Sequence, residues 1–76
     1  MPDESTELDL RGLKCPLPAL RTRKALRMLV AGDEMVVLCT DPMAVIDIPH
    51  LLTQQGDILL AQMREGDVLT FRIRKG

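Results

Sequence analysis

Sulfur chemistry is open to two side chains in this 76-residue chain, Cys15 and Cys39, and proton exchange near neutral pH to one, His50. Cys15 stands in Leu13-Lys14-Cys15-Pro16-Leu17-Pro18, where an extended stretch gives way to a helical pattern. Proline is favoured at the first position of a helix, so the spacing puts Pro16 at N1 and Cys15 at the N-cap. There the sulfur meets the positive end of the helix, which stabilises anions. Thiol pKa values fall from about 8.5 into the range of roughly 3.5–7.5 at such positions and near Lys or Arg, and Lys14 is adjacent. Pro18 removes the donor at N3, which leaves the Leu17 amide as the cap-type partner for the sulfur. Both prolines also stiffen the turn. The pattern is that of a thiol prepared to react, set against the alternative of a small buried hydrophobe.

The other candidates are weaker. Cys39 falls late in an apolar run and reads as a buried strand cysteine, with a resolving thiol for Cys15 as the alternative. His50 follows Pro49 and reads as a solvated helix residue rather than a general base. One histidine and two cysteines are too few for a zinc site, which usually takes four ligands. Asp41 and Asp47 read as helix caps first and recognition residues second. Met28, Met35, Met43 and Met63 read as core filler. There is no glycine-rich phosphate loop, no Ser-His-Asp arrangement and no useful carboxylate pair.

The elements that must position Cys15 fit one small domain spanning residues 1–76, with Met1–Thr6 polar and frayed. A chain this short buries only about 60% of the surface its unfolded form exposes. Its core must be aliphatic, since Phe71 is the only aromatic residue. Leu8 to Arg11 alternates as a half-buried strand does. From Pro16 a helix follows, with Ala19, Thr22, Ala25, Leu26 and Leu29 on one face and Gly32 as its C′ residue. Leu17 and Leu20 fall off that stripe, either as an exposed apolar rim beside Cys15 or as a cover over the sheet edge. Glu34 to Thr40 reads as a central strand. Asp41-Pro42 then repeats the cap-and-proline pattern and opens a second helical region to Gln55. At Pro49 that region either kinks or breaks into two. Ile58 to Met63 is a third strand, Arg64-Glu65-Gly66-Asp67 a turn, and Val68 to Arg74 a fourth strand with Leu69, Phe71 and Ile73 on one side. The order βαβαββ, with right-handed crossovers, gives an α+β two-layer sandwich: a four-stranded mixed sheet with two helices on one face. If the first two strands are parallel, Cys15 and Asp41 both emerge at the carboxyl edge, where open sheets bind ligands.

Charge is unevenly spread. The chain carries a net charge of −1, yet Arg11, Lys14, Arg21, Arg23, Lys24 and Arg27 fall between Arg11 and Gly32 with no acidic residue among them. The first helix and its entry loop therefore form a basic patch on an acidic protein, either steering acidic protein or RNA partners or serving as a solvated face. No run approaches the ~20 apolar residues of a membrane span. Two cysteines in a short chain without a signal-peptide pattern read as reduced and cytoplasmic.

Leu8-Asp9-Leu10-Arg11-Gly12-Leu13-Lys14-Cys15-Pro16-Leu17-Pro18, followed by a basic helix, resembles the TusA/SirA-like sulfur-carrier family. Thr40-Asp41-Pro42, Asp47-Ile48-Pro49 and the closing Phe71 to Gly76 resemble it further on, so the likeness covers Leu8 to Gly76. The resemblance implies the same βαβαββ sandwich and a sulfurtransferase that relays sulfur stoichiometrically, held as a persulfide on Cys15, with no other cofactor. It implies a protein donor such as a cysteine desulfurase and a downstream acceptor protein, with tRNA 2-thiouridine as one destination and no direct nucleic-acid contact required. Lys14, Leu17, Arg21, Arg23, Lys24 and Arg27 are the expected partner-binding residues. Leu17 and Thr40 depart from the tRNA-thiolating branch, which resembles an acidic choice at both positions. Sulfur oxidation, cofactor synthesis and thiosulfate use are therefore alternative pathways. Outside that family, an RNA-binding regulatory module and a Cys15–Cys39 redox switch are the competing readings. The absence of Tyr and Trp weighs against base stacking in the former.

Overall fold

The computed structural model describes residues 6–76, so Met1–Asp3 and the next two positions of the expected frayed segment lie outside the described residues. Thr6, expected to belong to that segment, already begins β1 (Thr6–Leu10), which is followed by α1 (Leu17–Leu26), β2 (Glu34–Cys39), α2 (Ala44–Gln55), β3 (Ile58–Glu65) and β4 (Val68–Arg74). The four strands form one sheet in the order β1-β2-β4-β3. β1 and β2 run parallel, with Leu10 opposite Cys39, and the remaining pairs are antiparallel. This is the βαβαββ arrangement expected from the order of elements.

Strand periodicity decides which face is buried. Met35, Val37 and Cys39 of β2 and Leu69, Phe71 and Ile73 of β4 share a core with Leu10, Leu26, Ala44, Ile48 and Leu52. Both helices therefore cover one face of the sheet. Glu34, half-buried, is bonded by Arg72 and Arg74 across the neighbouring strand. Val36 and Leu38 are half-buried rather than buried, so β2 is less two-sided than its composition implies.

Several local expectations are corrected. α1 ends at Leu26, not near Gly32. Leu26 is its last fully buried contact, and the chain then tightens through Met28-to-Ala25 and Leu29-to-Leu26 amide bonds. Gly32 instead lies at φ +96 on the approach to β2 and donates its amide to the Lys75 carbonyl at 2.8 Å. α2 is continuous through Pro49, because Ile48, Leu51 and Leu52 bury on both sides of it and packing outweighs the missing amide. The β3–β4 turn is the pair Gly66-Asp67, with Gly66 at φ +61, so β3 reaches Glu65. Only Met35 of the four methionines is core; Met28, Met43 and Met63 are exposed, Met28 by 82%.

The carboxyl end of the chain is tied down. The Lys75 amide donates to the Asp33 carbonyl at 2.7 Å, and the Gly76 amide to buried Asp57 Oδ1 at 2.9 Å. Phe71, fully buried on central β4, is the largest side chain in the core. Phe71→Ala is expected to remove about 3–5 kcal/mol. Against a total of roughly 5–15 kcal/mol for a domain, that is a large share of the stability. A urea titration followed by circular dichroism should show the midpoint falling by at least about a fifth, and an unchanged midpoint would show that Phe71 is not a central core residue.

Candidate functional site

The parallel pairing of β1 and β2 brings the loops after both strands to one edge of the sheet. Gly12, at φ +88, turns the chain out of β1, and its amide donates to Thr40 Oγ1 at 2.8 Å. Asp41, two residues beyond β2, then spans both loops with its carboxylate. Oδ2 accepts the Cys15 amide at 2.5 Å and Oδ1 the Met43 amide at 3.1 Å. The expected cap is corrected: Asp41 is not the N-cap and Pro42 not the first helical residue of α2. The N-cap is Met43, without a side-chain cap bond, and the helical residues begin at Ala44. Asp41 instead closes the turn ahead of the helix. It holds the backbone of Cys15 as well, a contact between residues 26 apart in the chain.

Cys15 is exposed, and Cys39 is fully buried between the sheet and the helices. A resolving thiol would need access that Cys39 lacks, and burial with the nearby Asp41 charge pushes its pKa up to about 11. His50 is exposed on α2, as expected. Asp47, one helical turn before it, is the residue that sequence reasoning underrated. The Cys15 thiol donates to Asp47 Oδ2 at 3.3 Å. The Asp-Ile-Pro segment was the available signal, but its approach to Cys15 is set by helix packing across 32 residues.

The expectation of an easily ionised thiol is corrected. α1 starts at Leu17 with Pro16 at its N-cap, so Cys15 sits one residue ahead of the cap. The Leu17 amide, the one donor expected for the sulfur, is taken by the Lys14 carbonyl at 2.9 Å. The partner the sulfur does have is a carboxylate. The Asp47 hydrogen bond, partial desolvation, and the charges of Asp47 and Asp41 raise the Cys15 pKa above the ordinary thiol value. Reachability is as expected; acidity is not.

The surroundings divide into two zones. Arg21, Arg23 and Lys24 on α1, Arg27 at its C-cap and Lys14 in its entry loop are all exposed. Arg11 differs, since it is bound to Asp9 at 2.8 Å, and that pairing lowers the Asp9 pKa to about 2. Leu17 and Leu20 are 40% and 51% exposed, which selects the rim over the sheet-edge cover. Met43, just before α2, and Ile46 in its first turn are also exposed apolar side chains. An open hollow of about 510 Å³ lies on the other flank of α2, lined by Pro42, Val45, Met63 and Leu69 among others; Cys15 does not line it. Among the described residues no group of His, Cys, Asp and Glu side chains is placed to hold a metal ion, and no helix is long and apolar enough to cross a membrane.

The profile of the family described as Sulfurtransferase TusA matches residues 6–75. The chain is 40% identical over 75 residues to the sulfur carrier protein TusA of Allochromatium vinosum, covering 99% of each chain. It is 44% identical over 69 residues to YrkI of Bacillus subtilis, covering 91% of this chain and 92% of that one. The crystal structure of a SirA-like protein from Desulfitobacterium hafniense superposes with a TM-score of 0.82 at 25% identity, covering 93% of this chain and 97% of the other.

Asp41→Ala would leave the Cys15 and Met43 amides without their acceptor. A lost hydrogen bond to a charged group costs about 1.5–3 kcal/mol. Amide hydrogen exchange should accelerate at Cys15 and Met43 far more than at core amides of β2 and β4. Uniform acceleration across the sheet would show instead that Asp41 supports the whole fold.

Proposed function

The chain belongs to the TusA family of sulfur carriers, and from that premise we propose that it relays sulfane sulfur as a persulfide on Cys15. The observation that carries this reading is the contrast between its two thiols: Cys15 is exposed at the sheet edge, and Cys39 is sealed in the core. In the exchange, Cys15 sulfur attacks the outer sulfur of a donor persulfide. A new S–S bond forms at Cys15, the donor's S–S bond breaks, and the donor's inner sulfur leaves as a thiol. The sulfane sulfur keeps its oxidation level, the Cys15 proton ends on the donor, and no external oxidant is needed. Thiolate–disulfide exchange obeys the same rules of access and leaving group.

Persulfide donors of this kind are proteins, and the surface around Cys15 suits a protein. Exposed Leu17 and Leu20 form an apolar rim, and Lys14, Arg21, Arg23, Lys24 and Arg27 supply positive charge that draws an acidic surface toward it. A cysteine desulfurase is the proposed donor and a further carrier protein the acceptor, in the cytoplasm. Synthesis of 2-thiouridine in tRNA is one destination. The uncharged Leu17 and Thr40 leave sulfur oxidation, cofactor synthesis and thiosulfate use as alternatives.

Incubation of the reduced protein with a cysteine desulfurase and cysteine should add one sulfur atom at Cys15, seen by peptide mass spectrometry. Cys15→Ser should remove the modification and Cys39→Ser should not. Equal modification of Cys15→Ser would overturn the assignment. Reversing Arg23 and Arg27 to Glu should slow loading at low ionic strength, with the difference from wild type shrinking as salt rises.

A further inference from the structure

A sulfur carrier must refuse sulfur and oxidants from solution while accepting sulfur from its protein donor, and the residue facing Cys15 bears on that choice. Resting on the carrier reading, we propose that Asp47 is both the restraint on the empty thiol and its proton acceptor during loading from a protein donor. Three observations carry this. The thiol donates to Asp47 Oδ2 at 3.3 Å, so the acceptor already sits on the proton that must leave. Asp41 anchors the Cys15 amide, so the backbone that carries the sulfur is held against the turn before α2, the helix that bears Asp47. Asp47 itself is fixed within α2, its amide donating to the Met43 carbonyl at 2.9 Å.

The charged groups acting on the sulfur come from two segments: Asp47 from α2, and Asp41 from the loop between β2 and α2. Lys14, its neighbour in the chain, is exposed, and the α1 bases are exposed on their own helix. In the free protein the two carboxylates disfavour the thiolate, which is the reactive form. A small reagent therefore meets a protonated sulfur. Docking of a donor over Leu17, Leu20, Met43 and Ile46 excludes water and brings the outer sulfur of its persulfide against Cys15 Sγ. As the new S–S bond forms, the Cys15 proton passes to Asp47 Oδ2 and then to the departing donor thiolate. Cys15–SH and donor–S–SH become Cys15–S–SH and donor–SH, with every atom and electron retained. Positioned proton transfer of this kind contributes on the order of a hundredfold or more.

The two duties of Asp47 predict effects of opposite sign in one variant, which a purely structural residue would not show. In Asp47→Asn, alkylation of Cys15 by iodoacetamide, a neutral reagent, should shift its pH midpoint down and run faster near neutral pH, because the carboxylate that disfavours the thiolate is gone. Loading from sodium polysulfide should accelerate too. Loading from a cysteine desulfurase should slow by about tenfold or more. Asp47→Glu should restore part of both behaviours, and circular dichroism of each variant reports whether α2 persists. Unchanged alkylation in both Asp47→Asn and folded Asp47→Ala would overturn the restraint. Desulfurase loading that speeds up in step with polysulfide loading would overturn the proton-acceptor duty. Failure of the wild-type protein to load from the desulfurase would count against the carrier reading itself, and the alkylation arm would still judge the restraint.

Discussion

One carboxylate holds the Cys15 end of this molecule together. Asp41 accepts the Cys15 amide on one oxygen and the Met43 amide on the other, joining the loop before α1 to the turn before α2. The clamp is possible only because β1 and β2 are parallel, so that both chains leave the sheet at the same edge. The two helices pack on one another over the same face of the sheet, and this brings Asp47 against the thiol. Without the Asp41 bridge, the position of Cys15 would rest on the thiol–Asp47 contact and on a short loop tied by the Gly12–Thr40, Leu13–Leu10 and Leu17–Lys14 hydrogen bonds.

Charge is sorted over a short span of surface. Bases crowd the outside of α1, where they give that face a positive field reaching into solvent. Acids sit against the sulfur itself, where a hydrogen bond and direct repulsion govern its proton. A net charge near zero conceals this arrangement, since attraction at a distance and restraint at contact depend on different side chains.

The scaffold beneath the site is economical. A single aromatic side chain, Phe71, joins aliphatic residues from both helices and the three strands that face them. The end of the chain is drawn into the structure through Asp57, which accepts the Gly76 amide and faces Lys75 at 3.8 Å. These contacts hold the sheet so that its opposite edge can present an exposed, polar site.

Much of this was legible in the residues alone. Alternation in Leu8 to Leu10 and in Leu69, Phe71 and Ile73, and the glycine and proline punctuation between elements, specify the order βαβαββ because they act over a few residues at a time. Cys-Pro-Leu-Pro marked the thiol, and the lone basic stretch marked α1. Helix ends were misread where a local signal yielded to packing: Gly32 resembles a C′ residue, but α1 stops at its last buried side chain, Leu26. Pro49 resembles a break, but buried Ile48, Leu51 and Leu52 carry α2 through it. The ionisation of Cys15 was misread for a related reason. Its neighbours in the chain are Lys14 and Pro16, which suggest an acidic thiol, whereas its neighbours in space are Asp47 and Asp41, 32 and 26 residues away. That Cys15 is the exposed thiol and Cys39 the buried one was a local property and could be read from the chain. How readily that sulfur ionises depends on distant carboxylates, and only the packing of two helices on a parallel strand pair decides where those lie.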